Sequence, residues 1–145
     1  MYKIGLRSGS PVSAGHMMEI DGTEAYTDVS EGDVVCIVNG VMMYSPNECP
    51  DAIVSSITSR ATIGDNNYPE KAVVMLLTPD MFLEAPVSGT EIQISNLSAG
   101  RYIGYTSSDV DAGGTSEFCQ IIDTLGAKKA GDKILVRFVK KEVTA

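Results

Sequence analysis

The chain has 145 residues, 43% of them hydrophobic and 21% charged, with a formal net charge of −8. A chain of that length supports one hydrophobic core, so a single domain over residues 1–145 is expected, and the ordinary composition excludes a disordered or fibrous protein. The acidic balance, without basic residues interleaved with aromatics, argues against nucleic acid as the main partner, because affinity for it comes mainly from neutralising phosphate.

Near the start, the segment after Arg7 turns polar at Ser8-Gly9-Ser10 where a signal peptide needs its apolar stretch, and no apolar run is long enough to span a bilayer as a helix. The chain is expected to be neither membrane-spanning nor exported by the common route. Short runs rich in Val, Ile, Tyr and Thr, bounded by Gly, Pro, Asn and Asp, then recur along most of the sequence, the pattern of an antiparallel β protein. Strands are predicted over residues 12–13, 17–20, 34–39, 41–44, 72–78, 91–95, 101–106, 117–123 and 133–140; residues 52–57 fit either a strand or one or two turns of helix starting from an Asp51 cap, and the strand is preferred. Asn39-Gly40 between two apolar runs predicts a two-residue hairpin turn, since a type I′ turn needs positive φ at both central positions. Residues 60–71 carry little apolar content and are expected to form an exposed loop, with Tyr68 and Pro69 making it a possible contact arm. The last run alternates Ile134, Val136 and Phe138 against Lys133, Leu135, Arg137 and Val139, which reads as a half-buried strand near a sheet edge. The fold class expected is therefore all-β: one compact antiparallel barrel or sandwich with long surface loops.

A small residue, then Gly, then a polar residue opening an apolar run recurs at Ala14-Gly15-His16-Met17, Glu31-Gly32-Asp33-Val34, Ser88-Gly89-Thr90-Glu91 and Ala130-Gly131-Asp132-Lys133. Glycine followed by a polar residue is a general way to enter a strand from a turn, so the phrase marks either a repeated unit or shared local chemistry.

Catalytic candidates are sparse. His16 is the single histidine; it matches no G-x-S-x-G elbow, and no spacing pairs it with a nucleophile, so a structural or solvent-exposed role is expected. Cys36, Cys49 and Cys119 are odd in number and lack metal-ligand spacing; they read as reduced thiols of a reducing cytoplasm, with Cys36 and Cys119 inside strand-like runs as small hydrophobes. The acidic pairs Glu19/Asp21, Glu31/Asp33 and Asp109/Asp111 read as solubilising turn residues, and residues 107–114 resemble a calcium loop without satisfying its pattern. No catalytic, cofactor-binding or metal-ligating residue is assigned. The Met17-Met18 and Met42-Met43 pairs each put one side chain on each face of a strand, so one of each pair is expected to point away from the core. Charge is polarised as well: six acids lie between Glu19 and Asp33, and six of the eleven basic residues lie between Lys128 and Lys141.

Pro11-Val12-Ser13-Ala14-Gly15 leading to Met18-Glu19-Ile20-Asp21-Gly22, then Glu31-Gly32-Asp33-Val34-Val35 and Asn39-Gly40-Val41, resembles the small β-rich capsid decoration proteins of tailed bacteriophages. Gly100-Arg101-Tyr102-Ile103-Gly104-Tyr105 and the run from Ala130 to Phe138 are similar to the same group, so the likeness covers about half of the chain in two pieces. The resemblance implies a non-enzymatic virion protein, assembled in the host cytoplasm. It would sit on the outside of the capsid, cement neighbouring major capsid protein subunits and self-associate, as a trimer by analogy with the group. In that setting one of Met42/Met43 would meet a neighbouring copy, while Lys128, Lys129, Lys140 or Lys141 would face acidic surface. A phage tail or fibre subunit, or a small ligand- or carbohydrate-binding β module, are the alternatives; a small hydrolase ranks last.

Overall fold

The computed structural model describes residues 3–4, 17–23, 27, 29–44 and 49–142. In chain order its elements are β1 (Lys3–Ile4), β2 (Met17–Asp21), β3 (Val34–Val38), β4 (Val41–Tyr44), β5 (Ala52–Ile63), β6 (Asn66–Leu76), β7 (Leu83–Ser88), α1 (Glu91–Ser95), β8 (Gly104–Tyr105), β9 (Val110–Asp111), β10 (Cys119–Asp123) and β11 (Lys133–Phe138). The protein is all-β, as its turn density and alternation predict. The strand predicted at residues 12–13 lies outside the described residues.

Five strands close into a barrel in the order β2-β4-β3-β5-β6. Strand alternation sends Ile20, Val35, Met42, Val54, Ala72 and Val74 into its interior, where they form one apolar cluster. The expected hairpin joins β3 to β4, with Val38 opposite Val41 and positive φ at both Asn39 (52°) and Gly40 (78°). Closure between β2 and β4 rests on one parallel pairing, Asp21 opposite Val41.

The second sheet runs β10-β11-β7-β9-β8, with β1 added to the other edge of β7. It curls until the chain just before β8 meets β10: the Ile103 N–H donates to the Cys119 carbonyl (3.0 Å), and the Ile121 N–H donates to the Arg101 carbonyl (2.9 Å). Its pairings are antiparallel except for β7 with β9, where Val87 and Ser88 lie opposite Val110 and Asp111. Inside sit Leu83, Ile103, Tyr105, Ile121, Ile134 and Val136, and the Tyr105 and Phe138 rings meet edge to face at 5.2 Å. The same cluster takes in Val34 and Ile53 from the outer face of the barrel. A hydrogen bond from the Val34 N–H to the Ser107 carbonyl (2.8 Å) ties the two sheets at that place.

Two expectations need correction here. Residues 91–95 form the helix α1 in place of a strand, because Thr90 and Gln93 make a reciprocal capping box: the Thr90 hydroxyl accepts the Gln93 N–H and the Gln93 side chain accepts the Thr90 N–H. Ile94 and Leu97 then anchor the helix in the core. In addition β11 lies inside its sheet, between β10 and β7, so Leu135 is buried along with Ile134 and Val136.

The recurring glycine phrase has a structural counterpart at two of its places, Gly32 and Gly131, and Gly100, which lies outside the phrase, makes the same turn. At Gly32, Gly100 and Gly131, φ is 87°, 88° and 93°. Each glycine N–H donates to a carbonyl of the neighbouring strand, of Val54 (2.8 Å), Ile121 (2.7 Å) and Val87 (2.8 Å) respectively. Those same three residues donate their own N–H back to the carbonyl following the glycine, on Asp33 (2.9 Å), Arg101 (2.9 Å) and Asp132 (2.9 Å). Each of these is a tight turn that locks the incoming chain to an existing strand in one step, and a left-handed glycine makes it possible. Gly89 (φ 126°) diverges because Thr90 caps a helix, and Gly15 lies outside the described residues.

Candidate protein interface

The region from residue 60 to 71, expected as a loop, is instead the far end of the β5–β6 hairpin, turned at Gly64-Asp65 with Ile63 opposite Asn66. Near its root this hairpin is part of the barrel: β3 pairs with β5 at Ala52 and Ile53, and β2 pairs with β6 from Lys71 to Met75. Beyond those points, residues 58–63 and 66–70 have only each other as strand partners among the described residues, so a two-stranded arm leaves the barrel.

Opposed residues in a strand pair share a face, which makes the arm two-sided. One side carries Arg60, Thr62 and Asn67 in a polar chain: Arg60 Nη1 donates to Asn67 Oδ1 (3.3 Å), and Asn67 Nδ2 donates to Thr62 Oγ1 (3.1 Å). The other carries Ala61, Tyr68 and Ile63, and Ile63 at the tip is 51% exposed. At the root, the Gly22 N–H donates to the Glu70 carbonyl (2.8 Å), and a Cβ at Gly22 would come within 1.7 Å of the Pro69 carbonyl oxygen. Only glycine lets the turn after β2 clamp the arm so closely.

The arm's edges are guarded against indiscriminate strand pairing. Pro69 on β6 has no N–H to offer, and β5 changes register between Val54 and Ser56 and twice more between Ile57 and Arg60.

The residues singled out by sequence are scattered. His16 lies outside the described residues. Cys36 and Cys119 are buried and Cys49 is exposed, and burial pushes the Cys119 thiol up, away from its reactive form. Glu19 and Asp21 stand on the exposed β2, with Glu19 Oε1 3.9 Å from Lys71 Nζ, a surface pair of little energetic weight. Asp109 accepts the Thr106 hydroxyl (2.7 Å), and Asp111 accepts the Gly113 N–H (3.0 Å), so both serve local turns. No group of three His, Cys, Asp or Glu side chains suited to a metal occurs among the described residues. Met42 is buried in the barrel (1% exposed) and its neighbour Met43 is half-buried, so Met42 is excluded as an outward contact; Met17 and Met18 are both exposed.

Asp33 and Asp132 occupy the same place in their turns and differ electrostatically. Burial holds the Asp33 carboxyl above its usual range, opposed by hydrogen bonds from the Ser30 N–H (2.9 Å) and hydroxyl (3.3 Å). The exposed Asp132 carboxylate accepts the Lys128 and Lys129 N–H groups (2.9 and 3.2 Å), which hold it below that range.

No family model matches the chain, and no curated protein is significantly similar to it. No helix among the described residues is long and apolar enough to cross a membrane.

Proposed function

We propose that this protein is a non-enzymatic structural component of a phage virion that binds the outer surface of the capsid and cements neighbouring major capsid protein subunits, with self-association of the copies. The observation that carries this reading is the β5–β6 arm, a two-sided projection rooted in a closed barrel and tipped by an exposed apolar side chain. A cementing protein needs a rigid body from which a contact element reaches a second surface, and many copies, so that individually weak contacts sum. Two sheets sharing one apolar cluster provide the rigid body. Exposed lysines at residues 128, 129, 140 and 141 support attachment to acidic surface at the opposite end of the chain.

Quantitative mass spectrometry of purified virions tests the reading. The chain should be present at a copy number that scales with that of the major capsid protein; its absence from virions, or a copy number fitting a tail tip, would overturn the capsid assignment.

A further inference from the structure

The most exposed large apolar side chain in the described part of the molecule is remote from the arm in sequence: Ile92 of α1, 76% exposed. Its helix is fixed from both sides, by the Thr90/Gln93 capping box and by burial of Ile94 and Leu97, so Ile92 is displayed on a rigid support. Beside it lies an open hollow of about 540 Å³ lined by Glu91, Ile92, Ser95 and Lys128. Glu91 and Lys128 flank that hollow with opposite charges, and among the described residues they form no ion pair with each other.

A knob beside a hollow, with one acid and one base on its rim, is complementary to itself under a two-fold rotation. Rotation puts Ile92 of each copy into the hollow of the other, and brings Glu91 of each copy against Lys128 of the other. We propose that α1 and Lys128 form a two-fold contact surface between copies of this chain. The proposal deepens the reading above, in which copies meet, by naming where they meet. Four residues around one hollow fall well short of the roughly 20–30 a side of a stable interface, so the pairing is weak in solution and gains strength when copies are held side by side on one surface.

The contact is read from concentration-dependent amide shifts of the full chain by NMR, together with sedimentation equilibrium. Shifts on concentrating the protein should centre on residues 91–95 and 127–129. Ile92→Asp should abolish them and weaken association by roughly tenfold or more, as removal of a central apolar anchor does. Glu91→Lys and Lys128→Glu should each weaken pairing, and the double variant should restore it, an outcome that mere loss of folding cannot produce. A parent chain that shows no shifts at these residues up to its solubility limit, or an Ile92→Asp chain that associates like the parent, would overturn the proposal. Capsid binding is scored separately: an Ile92→Asp monomer that still binds capsids supports the contact and leaves the cementing role standing, whereas a parent that pairs through α1 but binds no capsid removes the cementing role alone.

Discussion

The two ends of the β5–β6 hairpin are made of the same strands and held by different physics. At the root, alternate side chains such as Val54, Ala72 and Val74 disappear into the barrel, and neighbouring strands complete the backbone pairing. At the far end no strand continues alongside among the described residues, and the pairing is supported by the Arg60–Asn67–Thr62 chain on one side and the partly exposed Ala61, Tyr68 and Ile63 on the other. The root carries stability, and the function proposed above gives the arm the contact surface. A substitution should therefore move either folding or binding, according to which end it touches.

The largest effect is expected at the clamp between them. Gly22→Ala drives a methyl group into the Pro69 carbonyl, which is backbone and has little room to retreat, and should cost on the order of 4 kcal/mol in denaturant unfolding or abolish soluble protein. Met42→Ala, inside the barrel, leaves a cavity and should cost about 3 kcal/mol by the same measurement. Ile63→Ser at the tip should change stability by no more than about 0.5 kcal/mol, because its side chain is half solvated already. A loss at Ile63 as large as that at Met42 would mean that the arm is part of the core.

The smallest effects separate the two Gly-Asp turns. Asp132 has its pKa depressed in the fold, so it contributes stability above the ordinary carboxylate range that is lost as pH falls through its folded value. Asp33 has its pKa raised by burial, so its ionised form costs stability at neutral pH, and that cost fades as pH falls through its raised folded value. Urea unfolding at neutral and acid pH should find Asp132→Asn destabilising only at neutral pH. Asp33→Asn, whose amide oxygen can still accept the Ser30 N–H, should be neutral or stabilising there. Equal behaviour of the two variants would contradict the role given to burial.

Much of the barrel could be read from the sequence because its strands are half-buried and alternate, and because Asn39-Gly40 fits only a narrow turn type. The arm escaped for the reason that makes it interesting: with no core beneath it, it needs no apolar alternation, and Arg60, Thr62, Asn66 and Asn67 read as loop. Its Gly64-Asp65 turn was the available signal. Residues 91–95 misled because Ile92 and Ile94 alternate like a strand, while the Thr90-x-x-Gln93 capping pattern, which was legible, decides the matter. The buried position of Leu135 depends on β7 and β10 lying on either side of β11, a long-range fact that no local pattern contains.

The central claim is that the arm binds and the barrel supports. Ala61 and Tyr68 are paired across the arm and both carry an N–H, so residues 62–67, with the exposed Ile63, can be replaced by a two-residue Asn-Gly turn without touching the root. Co-sedimentation of this shortened chain with purified capsids is the direct measurement. The shortened protein should unfold at the same denaturant midpoint as the parent and lose capsid retention by roughly tenfold or more, as loss of a contact's main anchor does; retention equal to the parent's would contradict the account.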